Sequence, residues 1–245
     1  MNLDALQADL QAFGTATDIA QIEALCRRHC AQMGFDTFIY ALRIPTHFTD
    51  SRIVMVQSYP VSWTEHYFER GYFRIDPVIG HCASHVTPVA WHHLAPRPHS
   101  AAALLMGEAG EFGLRSGLTV PVHSPQGEMG LLSFATDLAG PAARRATEQA
   151  VTHAQLLSGY LHEAMRRVLE VSAGPRRQAL TAREQECLRW VADGKSSWET
   201  ARVLNLSERT VNFHIGRSME KLDVCNRQHA VARATLLGLL QPRPF

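Results

Sequence analysis

Between residues 59 and 91 the chain gathers side chains that could recognise a small molecule. Tyr59-Pro-x-x-Trp63-x-x-x-Tyr67 is followed by Asp76-Pro77 and then by Trp91. Tyr, Trp and Asp supply a hydroxyl, an indole N–H and a carboxylate among many apolar neighbours. That mixture suits a neutral ligand with amide and ester carbonyls and a greasy tail. Each residue also has a plain structural use, because a Trp on a helix packs well in a core and an Asp before Pro often caps a helix or opens a turn. Residue type alone leaves both uses open.

A second set lies in the last seventy residues. Val211, Ile215, Ser218 and Leu222 fall at i, i+4, i+7 and i+11, so one stripe of a helix should pack inward. The opposite face then carries Arg209, Asn212, Phe213, Gly216 and Arg217. Asn can bond bidentately to an adenine edge and Arg to guanine or phosphate, while an aromatic or small residue can abut a thymine methyl. Gly216 permits close approach but reads nothing itself. Lys195, near the start of the preceding helix, suits a phosphate contact. The plain alternative is that Arg209 and Arg217 only solvate an exposed face.

Enzyme chemistry finds little support. The chain has no G-x-S-x-G elbow, P-loop, Rossmann fingerprint or HExxH. Cys26 and Cys30 stand at i, i+4 around His29, and His81 and His85 repeat that spacing beside Cys82. Structural zinc usually needs four ligands, so no metal is expected, and the cysteines read as helical core residues. Five scattered cysteines suit reduced thiols rather than a disulfide framework. No apolar run approaches the roughly 18 residues a membrane span needs. The acidic start lacks the basic region of a signal peptide, and a cytoplasmic location is expected.

The elements that must hold these residues divide by charge. Residues 1–175 sum to −4 and residues 176–245 to +5, within a total of +1 over 245 residues. An acidic body thus precedes a small basic unit, an asymmetry that favours an anionic partner for the latter. Gly and Pro interrupt a helical pattern at 172–178. The expected boundaries are a body at 1–170, a linker at 171–179 and a second domain at 180–245.

In the second domain, Thr181-x-x-Glu184 and Ser196-x-x-Glu199 have capping-box spacing. Asp193-Gly194 should stop the first helix, Asn205-Leu206-Ser207 makes a short turn, and helices at about 208–222 and 226–240 complete a helix-turn-helix pattern. The body reads as helices at 3–13 and 18–33, strands at 37–44 and 52–59, and short helices at 62–69 and 77–84. A short strand at 87–91, a helix at 98–111, a hairpin at 116–136 and a long helix at 141–169 follow. Ala150, Ala154, Leu157, Leu161, Ala164 and Val168 form a seam on that helix for another helix, with a dimer partner's as one candidate. The fold class is α+β: an N-terminal α-β-α sandwich with an antiparallel sheet, then an all-α, four-helix helix-turn-helix domain.

Glu184, Leu188, Gly194, Lys195, Glu199, Ala201, Ser207, Thr210, Val211, His214 and the Lys221-Leu222 pair match the LuxR-type (NarL/FixJ-class) DNA-binding domain, which this segment closely resembles. Tyr59, Trp63, Tyr67, Asp76-Pro77, Trp91 and Gly117 recur at the spacings of the autoinducer-binding domain of LuxR-type quorum-sensing regulators. The resemblance implies a transcriptional regulator that binds an N-acyl-homoserine lactone and, as a homodimer, a two-fold operator, with Thr210 added to the DNA-facing set. It implies RNA polymerase as a further partner and no cofactor. By resemblance, Trp63 would donate to the lactone carbonyl and Asp76 would accept from the amide N–H. Tyr59 and Ser133 would bond the acyl-side carbonyl, and Trp91 and Tyr67 would wall the lactone. The tail would lie against Ile39, Ala41, Ile53, Met55, Val56, Met129 and Leu131.

Three departures from the family pattern stand out. Val78 replaces the Thr of some relatives, Arg43 occupies a strand position that is often apolar and is expected to point outward, and Gly216 replaces a base-contacting residue. A receiver domain is the other partner of this DNA-binding domain, but residues 35–60 lack the acidic cluster it needs. An orphan regulator of the same architecture, responding to another small molecule or to none and acting as a repressor, is the remaining alternative.

Overall fold

The computed structural model describes residues 3–94, 96–125, 127–172 and 179–242. They form two compact units: one of residues 1–43, 53–123 and 129–172, the other of 44–52, 124–128 and 173–245. The Gly/Pro break expected at 172–178 falls almost wholly on residues outside the described ones.

The first unit is built on a five-stranded sheet, in the order β2-β1-β5-β4-β3, of strands β1 (Thr37–His47), β2 (Asp50–Gln57), β3 (Val89–Ala90), β4 (Ser116–His123) and β5 (Met129–Thr136). β1 and β4 flank β5 and β3 borders β4, each pair antiparallel. Side chains alternate across a strand. Even-numbered β1 residues Phe38 and Tyr40 are therefore fully buried on one face, while Ile39 and Ala41 turn to the other; Leu42 is also buried and Arg43 is exposed.

Helices α1 (Leu3–Thr15), α2 (Ile19–Gln32) and α6 (Gly140–Ser172) form a layer on the first face. Asp18 caps α2 through the Gln21 N–H at 2.9 Å, and Tyr40 Oη meets His162 Nδ1 of α6 at 2.8 Å. The α6 seam is not free for a partner. Ala150, Ala154, Leu157, Leu161, Ala164 and Val168 are all buried, and α6 spends this stripe within its own unit, against α1, α2 and β4. The spacing identified an apolar seam correctly but could not say which surface would cover it.

Helices α3 (Val61–Glu69), α4 (Pro77–Ser84) and α5 (Ala101–Glu111), with one-turn segments Tyr72–Arg74 and Trp91–Leu94, cover the second face. The sandwich is thus α-β-α with an antiparallel sheet, as expected. The strand expected at 87–91 shrinks to Val89–Ala90, because Trp91 already starts a 3₁₀ turn.

The second unit packs α7 (Ala182–Ala192), α8 (Ser197–Leu204), α9 (Glu208–Leu222) and α10 (Arg227–Leu236) around Leu180, Leu188, Val211, Ile215 and Leu222. Both capping boxes form, Thr181 with Glu184 and Ser196 with Glu199, so the first turns of α7 and α8 satisfy their own N–H groups. Asn205 takes the left-handed conformation at φ 52°, and Ser207 caps α9. The last helix ends sooner than the 226–240 expected. Leu237 caps it, Gly238 turns at φ 65°, and the Leu239 and Leu240 N–H groups fold back to the Ala234 carbonyl.

Candidate functional site

A cavity of about 480 Å³ lies in the first unit, between the sheet and the α3–α5 layer. Tyr59, Trp63, Tyr67, Asp76, Val78, Trp91 and Ser133 line it together, although 74 positions separate the first from the last. Ile39, Ala41, Ile53, Met55, Met129 and Leu131 line it as well. Val56 does not. It follows Met55 on β2, so the alternation that brings Met55 to the cavity turns Val56 to the opposite, buried face. Arg43 borders the cavity at the end of the lining stretch of β1 and is exposed, in keeping with an outward-pointing side chain.

The polar side chains are held by one another. Tyr67 donates to Asp76 Oδ2 at 2.8 Å, and the other carboxylate oxygen accepts the Val78 N–H at 2.8 Å, capping α4. Burial raises the Asp76 carboxyl above its ordinary range, and these two hydrogen bonds partly offset that rise. Burial and the nearby Asp76 carboxyl push the Tyr59 and Tyr67 phenols upward, so both keep their protons. The Tyr59 hydroxyl is buried yet makes no hydrogen bond of ordinary geometry with the described residues. A buried donor without a partner costs about 1–3 kcal/mol, so this hydroxyl has room for an acceptor from a ligand.

Trp91 spends its indole N–H inside the protein. Nε1 donates to Thr119 Oγ1 at 2.8 Å, and that oxygen is 2.6 Å from Ser133 Oγ. The ring lies over Gly117, where a Cβ would come within 2.5 Å of Trp91 Cε2 and 2.6 Å of the Phe134 carbonyl. Only glycine fits. Trp63 is boxed by aromatic rings, with centroids at 5.9 Å to Tyr67, 6.4 Å to Tyr72, 5.4 Å to Phe112 and 6.0 Å to His66.

Sequence reasoning missed the rest of the lining. α5 contributes Leu105, Met106 and Ala109, Phe68 and Phe73 stand at the wall, and Thr64 and Gln57 add polar groups. Their signals were weak: α5 announces itself mainly by Ser100, whose hydroxyl caps it through the Ala103 N–H at 3.1 Å.

In the second unit, Val211, Ile215, Ser218 and Leu222 of α9 are buried, and Arg209, Asn212, Phe213 and Arg217 are exposed on the outer side. Thr210 and Gly216 are half-buried beside them, Thr210 within 2.7 Å of the capping Ser207 hydroxyl. Asn212 Oδ1 accepts the Ser197 hydroxyl at 2.6 Å, which ties α9 to the first turn of α8. Arg217 pairs with Glu220 at 2.6 Å, and Lys195 stands 3.9 Å from Glu199. Underneath, Lys221 meets Glu184 at 2.7 Å and fixes α9 against α7.

A family model for the autoinducer binding domain matches residues 18–165, and one for bacterial regulatory proteins of the luxR family matches residues 178–234. The chain belongs to the LuxR family. This LuxR-family chain is 34% identical to the transcriptional activator protein AhyR of Aeromonas hydrophila, over 99% of its own length and 94% of the relative's. To SolR of Ralstonia nicotianae it is 34% identical, over 94% and 96%. A crystal structure of Escherichia coli SdiA superposes with a TM-score of 0.79 at 26% identity, covering 98% and 99% of the two chains. Another SdiA structure, described as a complex with octanoyl-rac-glycerol, gives 0.78 at 25%, covering 98% and 97%.

The LuxR-family chain is therefore a quorum-sensing transcriptional regulator, not an enzyme, with an autoinducer-binding domain followed by a helix-turn-helix domain. Among its described residues, no helix is long and apolar enough to cross a membrane, and no cluster of His, Cys, Asp or Glu could hold a metal ion.

Proposed function

We propose that the cavity binds an N-acyl-homoserine lactone, and that the loaded chain grips a two-fold operator as a homodimer, presenting α9 to the major groove. The observation that carries the ligand reading is the unpartnered, buried Tyr59 hydroxyl in a cavity that also holds the Asp76 carboxylate and Trp63. An acyl-homoserine lactone offers two carbonyls and one amide N–H on a short head, with an alkyl tail behind them. Trp63 donates to the lactone carbonyl, Asp76 accepts from the amide, and Tyr59 with Ser133 bonds the acyl carbonyl. Tyr67, Trp91 and Val78 shape the head pocket. The tail runs along Ile39, Ala41, Met55, Met129 and Leu131.

On DNA, Asn212, Arg209, Phe213 and Arg217 face base edges and phosphates, Thr210 and Lys195 hold the backbone, and Gly216 allows close approach. Relatives named as activators support activation, with RNA polymerase as the contact, in the cytoplasm where the chromosome lies. Calorimetric titration of the purified chain with lactones of increasing acyl length tests the ligand. Saturable one-to-one binding is expected, and no binding across the series would overturn the reading. The relative complexed with octanoyl-rac-glycerol favours a second reading, an acylglycerol ligand, and the same titration with that compound decides between them.

A further inference from the structure

Part of the cavity wall reaches solvent, and the side chains found there are large and apolar. Ile53, Phe73, Phe68 and Met55 all line the cavity, yet 56, 42, 40 and 36% of their surfaces stay exposed. Single exposed apolar side chains are ordinary on a protein surface. Four that border one cavity mark a place that covers something apolar.

Local structure brings them there from two elements. On β2, Ile53, Met55 and Gln57 line the cavity while Val54 and Val56 are buried and do not, so the pleat points the first set toward it. β2 is an edge strand, and the sheet does not close the cavity beyond it. On α3, Trp63, Thr64, Tyr67 and Phe68 share one helical face at i, i+1, i+4 and i+5. Exposure rises across that face: Trp63 is buried, Thr64 and Tyr67 are half-buried, and Phe68 is exposed. Phe68 thus stands at the rim. Its ring centre lies 6.4 Å from that of Phe73, and the Arg74 guanidinium lies over Phe73 at 5.4 Å.

The polar groups lie deeper. Tyr67 and Asp76 are bonded to each other, and the Tyr59 hydroxyl is buried. Met55 belongs both to the wall along which the tail runs and to the exposed set, so an alkyl chain that follows it outward arrives at the rim. We propose that the cavity selects lactones with long acyl chains, dodecanoyl rather than hexanoyl, whose last methylenes are covered by Phe68, Phe73, Ile53 and Met55. This rests on the lactone reading above and adds the length of the tail.

The test titrates hexanoyl-, octanoyl-, decanoyl- and dodecanoyl-homoserine lactone into the full-length wild type and into the Phe68→Ala/Phe73→Ala double variant. Burying a methylene is worth roughly fourfold in affinity, and half covering it about twofold. Wild-type affinity should therefore climb by at least about fiftyfold from hexanoyl to dodecanoyl. In the double variant that ratio should fall at least about tenfold, because the far methylenes lose their cover. Should the double variant not fold, as its ligand-free melting temperature reports, Ile53→Ser must lower the ratio in the same direction. An affinity that levels off at octanoyl, or a ratio unchanged in the folded variant, would overturn the proposal while leaving the lactone reading intact. If the rim instead seats a second copy of the chain, the ligand-free wild type will self-associate, the double variant will not, and the ratio will stay the same, which also overturns it. Failure of every lactone to bind the wild type would overturn both readings together.

Discussion

Tyr67 and Asp76 form one unit: the phenol donates to Oδ2 at 2.8 Å while Oδ1 caps α4 through the Val78 N–H. The carboxylate is thus oriented before any ligand arrives, and preorganisation lowers the cost of binding. Tyr67→Phe should weaken lactone binding by about 1–2 kcal/mol, the range for losing a hydrogen bond to a charged group, while leaving the α4 cap intact. Calorimetry gives the affinity, and the melting temperature of the ligand-free protein reports on the fold.

Gly117 tests the packing of the same pocket. A methyl group there would meet the Trp91 ring at 2.5 Å and the Phe134 carbonyl at 2.6 Å, and the second neighbour is backbone that cannot rotate away. Gly117→Ala should destabilise the fold by about 1–3 kcal/mol, as overpacking does. Equilibrium unfolding in urea measures it. Trp91→Ala in the same chain should not restore full stability, because the carbonyl contact persists.

On α9, Asn212 is both exposed and bonded to Ser197 at 2.6 Å. Asn212→Ala should weaken specific DNA binding by about 1–3 kcal/mol and relax base preference at one operator position. Stabilisation by the lactone should not change. Fluorescence anisotropy with an operator library checks the first effect and thermal shift the second. Loss of both would point to misfolding rather than base readout.

A buried histidine pair sets an acid limit. His29 Nδ1 lies 2.9 Å from His153 Nε2 between α2 and α6, and burial, reinforced by His153, lowers His29 from 6.5 to about 4. The unfolded chain therefore takes up a proton below pH 6.5 that the folded chain refuses until about pH 4. The contribution is fully present above pH 6.5 and is lost progressively as the pH falls toward 4, at no more than about 1.4 kcal/mol per pH unit for one site. Urea midpoints measured across that window should fall on acidification, and His29→Gln should flatten the slope.

The sequence was most legible where physics is local. Capping pairs such as Ser196 with Glu199, the stripe Val211–Ile215–Ser218–Leu222 and the β4–β5 hairpin depend on neighbours within a few residues, and all of them form. Pairings set by tertiary register were not legible. Thr119 as the acceptor for Trp91 and Val56 on the wrong face follow from strand parity and pairing across distant segments. The α6 seam shows the same limit, since periodicity marks an apolar stripe without naming what covers it. The wall supplied by α5 was obscured because small and apolar residues run all around that helix.

The most direct test of the central claim is the melting temperature of the wild type and of Asp76→Ala, measured with and without a panel of acyl-homoserine lactones. At a hundredfold excess over Kd, a cognate lactone should stabilise the wild type by about 2.7 kcal/mol. The variant should show little or none of that gain, beyond a lower baseline of about 1 kcal/mol for the lost α4 cap. A wild type that no lactone stabilises, or an Asp76→Ala protein stabilised equally well, would contradict the account.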